Sequence, residues 1–300
     1  MRQSALIMAS LLALALPLSV GAQPLAVVAQ TIPTAVISDP APDAKFPARL
    51  EVVHVPTGGV KINGIAYVAS GPEPHPVFVF FHGLPGNEKN LDLVQSVRRA
   101  GWTAIAVNYR GSWGSPGSYR FAHNLEDAAA VLAFVRDPAN AKALNMDPNR
   151  IVIAGHSMGG WVVAHTASRD RGLLGAVMIS AGDMGTIGGL PRPFLVKEMA
   201  ADMESLADVT PDSMADELIA NGAQWTFAKA APGLKDTKLL VLTSDDGLAG
   251  QSDVLTAAIK AEGGKSLSVM HGATDHSWSD RRIALQSQVV TWLQGLLAKP

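Results

Sequence analysis

Gly155-His156-Ser157-Met158-Gly159 sets a serine between two glycines where a strand should give way to a helix. Residues 150–154 before it form a short run rich in β-branched side chains, as in a buried strand. Residues 160–167 after it read as the start of a helix. So sharp a turn leaves no room for bulky neighbours, hence the glycines. It would present the Ser157 hydroxyl near a helix N-terminus, where free N–H groups and the helix dipole favour developing negative charge. A serine so placed is suited to nucleophilic attack on an acyl carbon. That chemistry needs a base for the hydroxyl proton and a carboxylate to orient the base.

Such groups need a frame, and the hydrophobic pattern predicts one. Residues 50–55 and 60–68 read as strands of a hairpin around Thr57-Gly58-Gly59. Residues 77–81, Val-Phe-Val-Phe-Phe, suit a strand covered on both faces. Strands at 103–108, 151–154, 174–179, 238–243 and 267–270 then alternate with helices at 88–100, 125–136, 161–169, 253–262 and 283–297. Repeated strand–helix units predict an α/β fold with a mostly parallel central sheet flanked by helices. Residues 182–234 break the rhythm with helical patches at 194–204, 213–219 and 225–230. An insertion there predicts a small helical cap over the serine.

Composition narrows the possibilities. With 300 residues and 48% hydrophobic content the chain can bury one large core. A net charge of −2 and no basic stretch argue against a nucleic-acid partner. The chain has no cysteine, which removes disulfides, thiolate metal sites and cysteine nucleophiles. Scattered histidines, no His-Glu-x-x-His, and no phosphate or dinucleotide loop lead us to expect neither metal nor cofactor. Arg2, an apolar stretch at 5–16 and Val20-Gly21-Ala22 predict a signal peptide over residues 1–22, cleaved after Ala22. The expected location is periplasmic or secreted, without a stable membrane span after cleavage, since the stretch is short and broken by Pro17. Residues 23–47, rich in Pro, Ala and Asp, read as a poorly ordered leader or an arm draped over a domain at 48–300.

From about residue 50 onward the chain resembles the α/β-hydrolase superfamily. The resemblance rests on Phe81-His82-Gly83-Leu84-Pro85-Gly86, Asn108-Tyr109-Arg110-Gly111, the serine turn, a late acidic loop and a late histidine. Within the superfamily it is most similar to secreted bacterial hydrolases of the dienelactone-hydrolase and prolyl-oligopeptidase-related groups. The resemblance implies Ser157 as nucleophile and places the base in the loop after the last strand, at His276, with His271 as nearest rival. It puts the orienting acid after the preceding strand, at Asp246, with Asp245 one residue out of register and Asp183 a third candidate. It also implies an oxyanion hole made by the N–H groups of Met158 and Leu84. His82 then reads as a structural residue beneath that loop.

Arg110 has two readings: an anchor for an acidic substrate group, or a structural ion pair with Asp127 or Glu126, which we favour. Trp113 and Tyr119 are candidates to line a substrate pocket; Trp161, Trp225 and Trp278 could do so or be core. The expected activity is hydrolysis of a carboxylic ester or thioester through an acyl-enzyme. An aminopeptidase or acyl-aminoacyl peptidase is the alternative. It would call on acidic cap residues among Glu198, Asp202, Glu204, Asp208, Asp216 and Glu217 to bind a charged terminus. Carbon–carbon bond hydrolysis and a non-catalytic binding role on the same fold also stay open.

Overall fold

The computed structural model describes residues 31–72 and 74–298; the predicted signal peptide lies outside them. The strands are β1 Arg49–Thr57, β2 Val60–Val68, β3 His75–Phe81, β4 Thr103–Val107, β5 Met146–His156, β6 Gly175–Ile179, β7 Leu239–Ser244 and β8 Leu267–Gly272. They join one sheet in the order β1-β2-β4-β3-β5-β6-β7-β8. β2 runs antiparallel to β1 and β4, and the remaining pairs are parallel. Gly58 and Gly59 turn the β1–β2 hairpin with φ of +53° and +80°. Two successive left-handed residues make the tight turn whose twist matches that of its strands.

The helices are α1 Thr34–Ile37, α2 Leu91–Arg99, α3 Phe121–Arg136, α4 Pro138–Ala143, α5 Met158–Ala167, α6 Met184–Ile187, α7 Arg192–Ala200, α8 Pro211–Trp225, α9 Phe227–Leu234, α10 Ala249–Ala261 and α11 Arg282–Leu297. Alternation along β3 explains its unbroken apolar sequence. Val77, Val79 and Phe81 join one core with α3, α5 and the cap. Phe78 and Phe80 join the other with α2 and α11. Truncating either phenylalanine to alanine would cost about 3–5 kcal/mol. Among the described residues no helix is long and apolar enough to cross a membrane.

The structure departs from the sequence pattern in three places that bear on the site. α3 begins at Phe121 rather than 125, because the Glu217 carboxylate of α8 accepts the N–H groups of Phe121 (3.0 Å) and Ala122 (2.8 Å). A cap supplied from ninety-odd residues away leaves no local signal. α2 begins at Leu91 rather than 88, after Asn90 turns left-handed with φ +52°. The leader is not uniformly loose: α1 packs on α2 and α11 with Val36 buried, and Arg99 Nε donates to the Ala35 carbonyl at 2.6 Å.

α6 to α9 occupy the interval between β6 and β7. The cap is stitched to the loop between β4 and α3. Trp113 N–H donates to Ser205 O, Ala207 N–H to Gly111 O and Tyr119 N–H to Ala207 O, at 3.0, 2.8 and 3.0 Å.

Candidate active site

Ser157 stands between β5 and α5 with φ +58° and ψ −123°. A non-glycine residue in that region is strained, and the surrounding packing has to enforce it. The enforcement is visible: Ser157 N–H donates to Ile179 O at 2.9 Å, and Ser157 O accepts from the N–H groups of Gly160 and Gly182. Side chains at 155 and 159 would collide with backbone, that of Gly159 and of Phe81 respectively. Although Ser157 is the N-cap of α5, its hydroxyl makes no capping bond, so it is not spent on the helix.

The loop after β3 passes directly over this serine. A Cβ added to Gly83 would lie 2.9 Å from Ser157 Cβ and 3.4 Å from its Oγ. Leu84 N–H has no acceptor among the described residues. Met158 is the first residue of α5, where an N–H has no intrahelical partner. His82 is buried beneath the loop, and its Nδ1–H donates to Gly83 O at 2.7 Å. Burial pushes the His82 imidazole down to about 4, so it stays neutral. Tyr109 supports the same turn by donating its hydroxyl to His82 O at 3.2 Å.

In the loops that follow β7 and β8, His276 Nδ1 lies 2.7 Å from Asp246 Oδ2. A carboxylate only accepts, so the Nδ1–H donates and the Nε2 lone pair is left free. The Asp246 side chain is only 4% exposed, and its other oxygen accepts the Leu248 N–H at 2.8 Å. Burial alone would raise this carboxyl, but the hydrogen bonds from His276 and Leu248 hold it below its ordinary range.

The rival groups go elsewhere. Asp245 meets His271 Nε2 at 3.0 Å in an exposed pair, while His271 Nδ1 faces Thr243 Oγ1. Asp183 caps α6 through the N–H groups of Gly185 and Thr186 and also accepts Phe227 N–H, so its lone pairs are engaged in the cap.

One residue with a place in the site had no role in the sequence reading. His156 Nε2 lies 2.8 Å from the His276 carbonyl, which can only accept, so His156 donates. The two imidazole rings sit 4.6 Å apart. Burial, and then the nearness of His276, push His156 down to about 4. The next carbonyl, that of Ser277, accepts from Arg282 Nη1 at 2.8 Å. The loop carrying His276 is therefore pinned on two successive carbonyls, the first by the residue before the serine. The only local hint was an imidazole at the variable position of the turn.

The pocket candidates take several positions. Tyr119 is 1% exposed and donates its hydroxyl to Met158 Sδ at 3.1 Å, backing the turn from below. Trp113 is half-exposed at the rim, where its Nε1–H donates to Pro85 O at 2.7 Å and braces the loop over the serine. Trp161 and Trp278 are core, bonded through Nε1 to Trp225 O and Ser180 Oγ. Arg110 is paired through Nε with Asp127 and through Nη2 with Glu126, the structural reading. Among the described residues no group of three or more His, Asp or Glu is arranged to hold a metal ion.

Comparison with known proteins agrees with this architecture. Two relatives are a quorum-quenching protein, AidA, of Acinetobacter baumannii and a multifunctional-autoprocessing repeats-in-toxin of Vibrio cholerae. The first is 30% identical over 132 residues, 42% of this chain and 41% of that protein. The second is 27% identical over 190 residues, 62% of this chain and 4% of that protein. The chain thus spans less than half of either relative. Among solved structures, the carboxylesterase EstE1 from a metagenomic library superposes with a TM-score of 0.62 at 22% identity, covering 89% of this chain and 93% of that one. The acylaminoacyl peptidase of Pyrococcus horikoshii gives 0.63 at 17% identity, covering 84% and 42%. At such identities these two establish the fold alone. The family model for alpha/beta hydrolases matches residues 78–295, from within β3 almost to the end of α11, and the chain belongs to the alpha/beta hydrolase family.

Proposed function

We propose that this hydrolase cleaves a carboxylic ester or thioester through a covalent acyl-enzyme on Ser157. The observation that carries the reading is the 2.7 Å contact between the buried Asp246 carboxylate and His276 Nδ1, on a loop tied to the residue preceding Ser157. With Nδ1 committed to Asp246, His276 Nε2 takes the Ser157 proton as Oγ attacks the acyl carbon. The carbonyl oxygen becomes an oxyanion that accepts from Leu84 N–H and Met158 N–H. Collapse breaks the bond to the alcohol or thiol, which leaves with the proton held on His276. Water, deprotonated by the same Nε2, then attacks the acyl carbon; the acid departs and Ser157 regains its proton.

A second reading, release of an amino-terminal residue from a short peptide, draws on one carboxylate of the cap. Glu217 caps α3, Asp212 and Asp216 pair with Arg192, and Asp208 accepts from Ser118. Asp202 is half-buried, and burial beside Glu198 raises its carboxyl. Of the cap carboxylates without a hydrogen-bond or ion-pair partner among the described residues, Glu198, Asp202 and Glu204, it is the least exposed and so the candidate to receive an ammonium group. The same experiment separates the two. Wild type and Ser157→Ala are assayed on short and long p-nitrophenyl esters and on aminoacyl p-nitroanilides, with fluorophosphonate labelling alongside. Ester turnover and labelling, both lost in the variant, are expected. Dominant anilide turnover would favour the peptidase, and an unlabelled, inactive wild type would remove serine catalysis. The signal peptide predicted over residues 1–22 adds a periplasmic or secreted setting to the proposal, which N-terminal sequencing of the mature protein tests by finding Gln23 first.

A further inference from the structure

A cavity of about 300 Å³ opens on the sheet face covered by α2, at the edge where β1 and β2 run on. Its apolar walls include Val52, Ile65, Phe80 and Leu91. None of Ser157, Leu84, Asp246 or His276 belongs to its lining. Among its polar groups, Asn63 is spent: Nδ2 donates to Gly114 O and Oδ1 faces His54 Nδ1. Asn108 is spent as well, with Oδ1 accepting from Lys89 at 3.1 Å and Nδ2 donating to Trp113 O. His82 is neutral and its Nε2 is sealed from solvent.

Lys89 remains, the one charged side chain in the lining. Its ammonium has three donors, and one of them goes to Asn108. No carboxylate pairs with it among the described residues. It rests instead on the Trp113 ring, 4.2 Å from the centroid. Burial without a counter-charge pulls its ammonium below the ordinary lysine range. A half-buried cation with donors to spare, at the wall of an apolar cavity, matches a ligand with one anionic head and an apolar body.

We infer that this cavity binds a medium-chain carboxylate, its head on Lys89 and its tail against Ile65, Phe80 and Leu91. The carboxylate accepts the ammonium donors that Asn108 leaves free, and about 300 Å³ is at the small end of ligand pockets. Bound there, the head lies behind the loop over Ser157, because the Trp113 ring under Lys89 is the same ring that braces Pro85 O.

Calorimetric titration of the full chain with sodium octanoate and with octanamide, its neutral counterpart, tests this without any turnover and so stands apart from the reading of Ser157. Octanoate is expected to bind about ten-fold more tightly than octanamide, the worth of one charged hydrogen bond. Lys89→Gln should abolish the preference, and Val52→Trp, a substitution at an exposed wall position, should weaken both ligands. Equal affinities in the wild type, or no binding, would overturn the inference. So would octanoate binding that survives both substitutions, since the acid would then be held elsewhere, as at Ser157.

Discussion

Two aspartate–histidine pairs stand side by side at the carboxyl end of the sheet. Asp245 and Asp246 are consecutive, and each meets a histidine at hydrogen-bond distance, 3.0 Å for His271 and 2.7 Å for His276. Adjacent residues project in different directions, and everything else follows from that. The Asp246 side chain is 4% exposed and the Asp245 side chain 63%. His271 belongs to β8 and turns its second nitrogen to Thr243, whereas His276 belongs to a loop pinned beside Ser157. An exposed pair is screened by water and contributes little, while a buried, hydrogen-bonded one holds a single geometry. Distance alone would have ranked the pairs as near equals; burial and the bond from His156, the residue before Ser157, separate them.

Replacing the two histidines in turn should give the largest contrast. His276→Ala is expected to lower kcat by about 10⁵- to 10⁶-fold, the range for loss of a base that acts as a unit with its serine. His271→Ala should leave kcat within about two-fold, as for a surface change. Comparable losses in both would dissolve the distinction. Next come the acids: Asp246→Asn should cost about 10⁴-fold by releasing the His276 tautomer, with KM little changed. If Asp245→Asn matched that loss in steady-state assays, the register of the loop after β7 would have to be redrawn.

A smaller effect is expected at His156. Replacing it with Phe keeps a ring but removes the donor to His276 O, so a kcat loss of up to about 10²-fold should appear with KM unchanged. His156→Gln, which can still donate, should recover part of the loss; equal defects in both would mean that only packing is at stake. The smallest and broadest effect is on stability. His82 and His156 are held near 4 in the folded state, below the ordinary histidine value of 6.5. Between those values the unfolded chain takes up protons that the folded one refuses, so stability falls as pH drops from about 6.5 to about 4 and levels off below. The loss is of order 3 kcal/mol per histidine. Urea melts at pH 7.5 and 4.5 measure it, and in His156→Gln the difference should shrink by one histidine's share, since His75 and His165 are lowered by burial as well.

Much of this organisation is legible in the sequence because it is written locally. The short apolar runs of β3, β5 and β7 and the glycines flanking Ser157 each state their own conformation. What could not be read is set by distant partners. The start of α3 depends on Glu217, the order in part of the leader depends on α2 and α11, and the burial of Tyr119 depends on where the Met158 sulfur comes to rest. The choice among Asp183, Asp245 and Asp246 was open for the same reason. All three follow strands, and only the turn after each strand decides which carboxylate is left for a histidine.

The stitching of the cap to the β4–α3 loop has a consequence for anyone who would transplant it. Residues 182–234 look like a detachable cassette, yet Gly111, Trp113 and Tyr119 share their main-chain hydrogen bonds with Ser205 and Ala207, and Glu217 supplies the first turn of α3. A graft of the cassette alone would orphan donors and acceptors on both sides of the seam. The unit that could be exchanged between homologues is the pair, cap together with the loop from Gly111 to Ala122.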